Sequence, residues 1–121
     1  MTREKRNLGD WGEEQACGFL RRNGFRIVDR NFQTTAGEID IVAEKGGDYY
    51  FVEVKTRADK EFANDLAVTY FKKRKLAKTI KAYCYKRDLG EVSVIMAALV
   101  VFVDRQSRKV NFRFTVLIEP L

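Results

Sequence analysis

Residues 37–57, GEIDIVAEKGGDYYFVEVKTR, constrain the fold of this chain more than any other stretch. Two runs rich in β-branched and aromatic residues flank Gly46 and Gly47, a pattern that predicts an antiparallel hairpin with a tight turn. If the two glycines form the loop, the turn sets the register of the hairpin. Asp40 then faces Glu53, although both strands otherwise look like protein core.

The hairpin places four ionisable side chains on one small patch. The same register puts Glu38 opposite Lys55, and alternation along each strand puts this pair on the face of Asp40 and Glu53. Two opposed carboxylates destabilise a hairpin, and partial burial increases the penalty. A shared proton, Lys55 or a bound cation could offset the repulsion, and carboxylate oxygens are ligands that Mg²⁺ prefers. The alternative is a solvated face with ordinary cross-strand ion pairs.

Predicted helices and strands alternate along the rest of the chain. Besides the hairpin strands at 38–45 and 48–55, the hydrophobic patterns predict helices at 10–23 and 65–87 and strands at 25–32, 91–103 and 110–118. The order α-β-β-β-α-β-β predicts an α/β domain with a mixed sheet of about five strands and a helix against each face. We expect residues 1–7 to form a flexible basic arm and residues 8–121 to form a single domain.

Composition limits the chemistry and favours an anionic partner. The net charge of +6 favours nucleic acid, although a merely basic, soluble surface explains it equally well. The chain has no histidine, which excludes His-dependent nucleases, Ser-His-Asp triads and His-ligated zinc. The two cysteines form no CxxC motif, and no apolar run reaches transmembrane length. We therefore expect a reduced, cytoplasmic protein without a membrane partner.

The first predicted helix directs one carboxylate inward. Glu13 lies three, four and seven residues before Ala16, Cys17 and Leu20, so it shares their helix face. Glu14 is rotated away from this apolar stripe and can reach water. Glu13 is therefore aimed partly toward whatever the helix packs on.

The second predicted helix is rich in lysine. Lys72, Lys73 and Lys75 are candidate nucleic-acid contacts, because basic side chains near aromatic ones, such as Tyr70, suit binding to a nucleic-acid backbone. Ordinary solubility of an exposed helix is the alternative interpretation.

The charged residues of the hairpin also match a known signature. Asp40, twelve intervening residues and then Glu53-Val54-Lys55 resemble the PD-(D/E)XK signature of restriction-endonuclease-like nucleases. More closely, GEIDIVA, FVEVKTR and the upstream GDWGEEQACGFLRRNGFRIVDRNF resemble the YraN family. These are small bacterial proteins of predicted nuclease character, related in fold to archaeal Holliday junction resolvases.

This resemblance implies a restriction-endonuclease-like fold and a role for several residues. Asp40 and Glu53 match the metal-binding pair for Mg²⁺ or Mn²⁺, and Glu13 matches an accessory acid that reaches the same site. Lys55 matches the catalytic lysine, which can orient the attacking water and stabilise charge on the phosphate. Arg57 shares the face of Lys55 and could hold a neighbouring phosphate, or it could be an exposed strand-end arginine.

The function predicted from these features is divalent-metal-dependent hydrolysis of phosphodiester bonds in DNA, with structured or branched DNA among the candidate substrates. Cleavage of both strands would usually need two sites, which favours a homodimer. The alternative is a non-catalytic nucleic-acid-binding module with a relict site. It is supported because family members usually carry an acid entering the late strand, where this chain has Ala97-Ala98-Leu99. A purely structural hairpin, whose charges pair among themselves, is the third interpretation.

Overall fold

A computed structural model describes the backbone of residues 3–58 and 70–118, and the side chains of residues 8–58 and 74–117. The predicted α/β class and element order are confirmed. The helices and strands are α1 (Arg3–Arg22), β1 (Arg26–Thr34), β2 (Gly37–Lys45), β3 (Asp48–Ala58), α2 (Tyr70–Lys86), β4 (Ser93–Asp104) and β5 (Lys109–Ile118).

The five strands form one mixed sheet in the order β1-β2-β3-β4-β5. Neighbouring strands pair antiparallel except β3 and β4, which run parallel. Parallel strands require a crossover connection, and α2 lies in the connection between these two. The sheet therefore brings β3, which carries the predicted catalytic residues, next to β2 on one side and β4 on the other.

The first helix begins earlier than its sequence pattern indicated. Residues 3–7, expected to belong to a flexible arm, are part of α1. Arg, Glu and Lys are good helix formers, and no proline interrupts them, so the helix extends past the predicted start at Asp10. The assignment of residues 8–121 to a single domain stays a prediction.

One face of the sheet packs against α1. Ala16, Cys17 and Leu20 are fully buried there against Ile41 and Val52 of the central strands. This confirms the apolar stripe predicted for the first helix. Both cysteines are free thiols, Cys17 fully buried in this core and Cys84 partly buried.

The helix also approaches β3 very closely at one position. A Cβ atom added to Gly12 would overlap the side chain of Thr56. Glycine at this position lets α1 lie directly on β3, and the next residue of the helix is Glu13.

The opposite face of the sheet packs against α2. Ile80 and Tyr83 are almost inaccessible to solvent, and Leu76 is partly buried. The Tyr83 ring meets Phe32 and Phe51 edge-on, with centroids 4.8 and 5.5 Å away. Residues 65–69, the start of the second predicted helix, lie outside the described residues.

Neither helix in the described part of the chain has the length and apolar character needed to span a membrane.

Candidate functional site

The candidate site lies where β2 and β3 separate. The register predicted from the glycine turn is confirmed as far as the pair Ile41–Val52. The ladder described for these strands ends there, so Asp40 and Glu53 are not a paired position, and the predicted direct opposition is not formed. The predicted pairing of Glu38 with Lys55 falls beyond the same point. Both predictions assumed that the ladder continues past Ile41.

A break in the alternation of the strands explains this separation. Ile39 and Ile41 should lie on one face of a regular strand, yet Ile41 packs in the α1 core and Ile39 in the α2 core. The break therefore falls at Asp40. On β1, the neighbouring irregularity is Asn31, which has a positive φ of 53°. Asparagine tolerates this left-handed conformation better than most residues, and it is a position that the sequence reasoning missed.

The break turns the Asp40 carboxylate toward the main chain of β3. Its Oδ2 atom accepts a hydrogen bond from the Val54 N–H at 2.8 Å. Burial raises the pKa of Asp40 to about 6, while the Val54 hydrogen bond acts in the opposite direction. The negative charges of Glu13, Glu38 and Glu53 make smaller contributions to the same rise in the pKa of Asp40. Asp40 thus belongs to a partly buried group of like charges.

Glu13 reaches this group from α1. Burial raises its pKa, and the positive charge of Arg30 partly offsets the effect, as does a hydrogen bond with the Asn31 side chain. One carboxylate oxygen of Glu13, Oε1, is buried without a hydrogen-bond partner. Arg30 itself contacts the neighbouring Glu14, with Nη1 and Oε2 2.9 Å apart. The structure therefore brings Glu13 close enough to Asp40 for the two charges to interact, as the stripe of the first helix indicated.

Lys55 and Arg57 continue β3 beyond the end of the hairpin ladder. Lys55 is half-buried and lies beside Val100 of β4. It shares a face with Glu53, because residues two apart in a strand point to the same side. The Arg57 guanidinium donates a hydrogen bond to the Thr56 carbonyl at 2.9 Å.

A cavity of about 540 Å³ opens on this site between the sheet and α2. Three carboxylates, those of Glu38, Asp40 and Glu53, line one side, and Lys75 of α2 lines the other. Lys75 and Thr79 come close to Gly37, where a Cβ atom would lie 3.0 Å from Thr79 Oγ1 and 3.4 Å from Lys75 Cε. The φ of 152° favours glycine at position 37, and an added Cβ atom would also crowd the Thr79 and Lys75 side chains.

Of the three lysines predicted to contact nucleic acid, Lys75 is placed at the site, with its side chain exposed. Lys72 and Lys73 belong to α2, but their side chains lie outside the described part of the chain. The sequence showed that the helix is basic. It did not show which lysine faces the carboxylates, because that depends on how α2 is rotated against the sheet.

The donor chemistry suits a hard divalent cation. Among the described residues, no group of three or more His, Cys, Asp or Glu side chains forms a ready-made metal site. Mg²⁺, however, is usually bound by one or two carboxylates together with waters and phosphate oxygens. Asp40 and Glu53 line the same cavity and meet that requirement, and the buried Oε1 of Glu13 is a further donor without a partner. The metal-binding role of these three residues stays a prediction.

Residues 12–89 match the model of a family described as "Uncharacterised protein family UPF0102". The chain belongs to the UPF0102 family. This confirms the resemblance to the YraN family. The match contains Glu13, Asp40, Glu53 and Lys55, so the whole candidate catalytic group lies within the family segment.

Several UPF0102 proteins are similar to this chain along most of their length. The chain is 37% identical to the UPF0102 protein of Pelobacter propionicus, over 87% of this chain and 77% of that protein. It is 41% identical to the UPF0102 protein of Syntrophomonas wolfei, over 88% of this chain and 93% of that protein. It is 40% identical to the UPF0102 protein of Helicobacter pylori strain P12, over 83% of this chain and 86% of that protein.

Two solved structures share a more distant similarity with this UPF0102 chain. One is Archaeoglobus fulgidus Hjc, a Holliday junction resolvase, at 21% identity and a TM-score of 0.46, covering 86% of this chain and 72% of that one. The other is Pyrococcus furiosus SfsA in complex with Ca²⁺, at 17% identity and a TM-score of 0.37, covering 93% and 64%. Likenesses at this level assign neither an activity nor a ligand to the chain.

Proposed function

We propose that the chain is a divalent-metal-dependent nuclease that hydrolyses phosphodiester bonds in DNA, with structured or branched DNA among its substrates. The observation that carries the proposal is the position of Asp40. Its carboxylate is partly buried where two strands separate, and three further carboxylates raise its pKa. Crowding like charges in a partly buried place is unfavourable unless something offsets the repulsion. A divalent cation beside a phosphate is a chemically suitable partner for such a group.

The chain's own carboxylates would hold the cation. Asp40 and Glu53 line the same cavity and would supply the principal oxygens, with Glu13 approaching from α1. When bound, the cation supplies Lewis-acid chemistry, lowering the pKa of water and neutralising phosphate charge. The Val54 N–H occupies one lone pair of Asp40 Oδ2, and the other oxygen of the carboxylate would remain to bind the cation.

Lys55 would act on the phosphate. It shares the face of Glu53 on β3, so it would meet a phosphate that approaches the carboxylates from that side of the sheet, although it does not line the cavity itself. A fixed positive charge placed where negative charge develops lowers the barrier more than it tightens substrate binding. Lys75, on the opposite side of the cavity, would hold a phosphate oxygen from α2.

A second function is favoured by β4. Ala97, Ala98 and Leu99 are fully buried or nearly so, and Ala98 is the neighbour of Glu53 in the sheet. This part of β4 therefore contributes no acid to the site. A non-catalytic module that binds nucleic acid through a relict site is the function that this observation favours.

A cleavage assay separates the two functions. The purified protein is incubated with labelled single-stranded, duplex, flap and four-way-junction DNA, in Mg²⁺, Mn²⁺ or EDTA. A nuclease cleaves at least one of these substrates with a metal and none in EDTA. Binding without cleavage in either metal would replace the nuclease with the binding module. Failure to bind any nucleic acid at low salt would end both proposals.

A further inference from the structure

The face of β3 that carries Lys55 continues across β4 and β5. Lys55 lies beside Val100 of β4, and Val100 lies beside Arg113 of β5. Residues in register on neighbouring strands share a face of the sheet. Arg113 therefore points to the same side as Lys55, although it lies far from that residue in the sequence.

The adjacent row of the sheet has a similar character. Arg57 lies beside Phe102, which lies beside Asn111. The Arg113 guanidinium stacks over the Phe102 ring, 5.8 Å from its centroid. The two rows form what we call the β3–β5 basic face, made of Lys55, Arg57, Val100, Phe102, Asn111 and Arg113.

Exposure makes part of this face available to a ligand. Arg113 and Asn111 are exposed, and Phe102, Lys55 and Arg57 are partly exposed. Val100, between Lys55 and Arg113, is fully buried, so a bound strand would meet the long basic side chains rather than the valine itself. On the other side of β5, Phe112 and Phe114 pack in the α1 core. The charge of β5 is thus directed to one side, the side of the candidate catalytic residues. A guanidinium supported by an aromatic ring is well suited to bind a phosphate through two parallel hydrogen bonds.

The spacing suits a nucleic-acid strand. Neighbouring strands lie about 4.8 Å apart, so two steps separate the backbones of Lys55 and Arg113 by roughly 10 Å. A nucleic-acid strand carries one phosphate per nucleotide. With one phosphate held near Lys55, a phosphate close to it along the same strand would lie within reach of the long Arg113 side chain.

We propose that the β3–β5 basic face binds the backbone of the nucleic-acid strand as it leads away from the phosphate at Lys55, with Arg113 as its outer contact. The inference rests on the proposed function for its anchor point and adds the path of the strand. Phe102 and Arg113 lie beyond residues 12–89, so the inference concerns this chain rather than the segment that defines its family.

The chain offers a closely matched control for Arg113. Arg22 is also an exposed arginine, and its guanidinium also lies 5.8 Å from the centroid of a β5 phenylalanine, Phe112. It stacks from the α1 side, however. Arg113→Ala and Arg22→Ala thus remove the same charge and the same kind of stacking contact, with Phe102 and Phe112 respectively, on opposite faces of the sheet.

The measurement is the affinity for a short fluorescein-labelled DNA duplex, read by anisotropy in EDTA over a range of salt concentrations. Arg113→Ala should weaken binding on the order of fivefold at low salt and make the log–log salt slope shallower by about 1, the loss of one phosphate contact. Arg22→Ala should keep the affinity and slope of the parent. Arg113→Gln, which retains a long side chain over Phe102, should behave as the alanine variant does, and thermal unfolding confirms that each variant is folded.

If the folded Arg113 variants bind DNA with the affinity and slope of Arg22→Ala, the proposed path is wrong, while the nuclease proposal still stands on its cleavage assay. The proposed path is also wrong if Arg113→Ala and Arg22→Ala weaken binding equally. Positive charge would then act from either face of the sheet, and not specifically from the β3–β5 basic face. If the parent binds no DNA, this inference and the proposed function fail together.

Discussion

Asp40→Asn should make the metal-free protein more stable at neutral pH, even though it removes a candidate metal ligand. The pKa of Asp40 is raised from 3.8 to about 6, mainly by burial, so the folded protein disfavours the ionised carboxylate. Below about pH 4 the group is protonated in the folded and unfolded chains, and this cost is absent. The cost grows as the pH rises toward about 6 and is fully present above it.

The size of the effect follows from the same pKa. A rise from 3.8 to about 6 corresponds to about 3 kcal/mol of destabilisation above pH 6. An asparagine oxygen can still accept the Val54 hydrogen bond, but a neutral acceptor gives up about 1 kcal/mol relative to a charged one. The net gain is about 1–2 kcal/mol, or about 3–10 °C in Tm for a domain of this size.

The assay is urea and thermal unfolding in EDTA, from about pH 4.5 to about pH 8, for the parent and two variants. Asp48→Asn is the matched control. It exchanges the same side chains on the same hairpin, but next to the glycine turn instead of at the candidate site. The advantage of Asp40→Asn should be largest above pH 6 and should shrink toward pH 4.5. Asp48→Asn should not show this pH-dependent gain.

Added Mg²⁺ should reverse the order. A ligand that binds only the folded state at about 100 times its Kd stabilises by about 2.7 kcal/mol, which exceeds the expected advantage of the variant. The reasoning is refuted if Asp40→Asn is less stable than the parent at pH 7.5 in EDTA. An advantage that does not shrink toward low pH would contradict it equally, since the gain would not come from the carboxylate.

Two further substitutions test the packing and the cavity. Gly12→Ala should destabilise the fold by about 1–3 kcal/mol in urea unfolding, because the added methyl group overlaps Thr56. Gly9→Ala in the same helix, with open space around it, should be neutral or stabilising by up to about 1 kcal/mol, and equal losses would contradict the close approach. Lys75→Ala should lower kcat/KM for DNA about tenfold through the loss of a charged phosphate contact, whereas Lys78→Ala, outside the cavity, should not. Equal effects of the two lysine variants would mean that only the general charge of α2 matters.

Local patterns predicted the elements of this fold well. Each strand was placed within a few residues of its observed bounds, and the glycine turn set the correct register of the hairpin through Ile41–Val52. These features depend on neighbours in the sequence. The sequence is therefore a sufficient guide to them.

The geometry of the site could not be read in the same way. The prediction extended the hairpin ladder to Asp40 and Glu53, but the strand alternation breaks at Asp40 because Ile39 and Ile41 fill different cores. Whether a strand continues or breaks there depends on two helices packing on opposite faces. The same carboxylates line one cavity, but they do so across a gap between strands rather than as a paired position.

Arg113 was missed for a different reason. Its relation to Lys55 passes through Val100, across one parallel and one antiparallel pairing. Neither the order of the strands in the sheet nor the register of a parallel pair is set by a local turn. A basic residue on the last strand therefore carried no signal until the sheet was known.

The most direct test of the central claim is single-turnover cleavage in Mg²⁺ or Mn²⁺, with enough protein to saturate the best DNA substrate. Lys55→Ala and Asp40→Asn should each lower the rate constant by at least about 100-fold, because they act on charge that develops in the transition state. In EDTA, Asp40→Asn should bind DNA at least as well as the parent, and Lys55→Ala should lose no more affinity than Arg113→Ala, since each of the latter two substitutions removes one phosphate contact. Asp48→Asn should cleave normally. If the parent cleaves DNA and both variants cleave at its rate, the nuclease site lies elsewhere and the account is wrong.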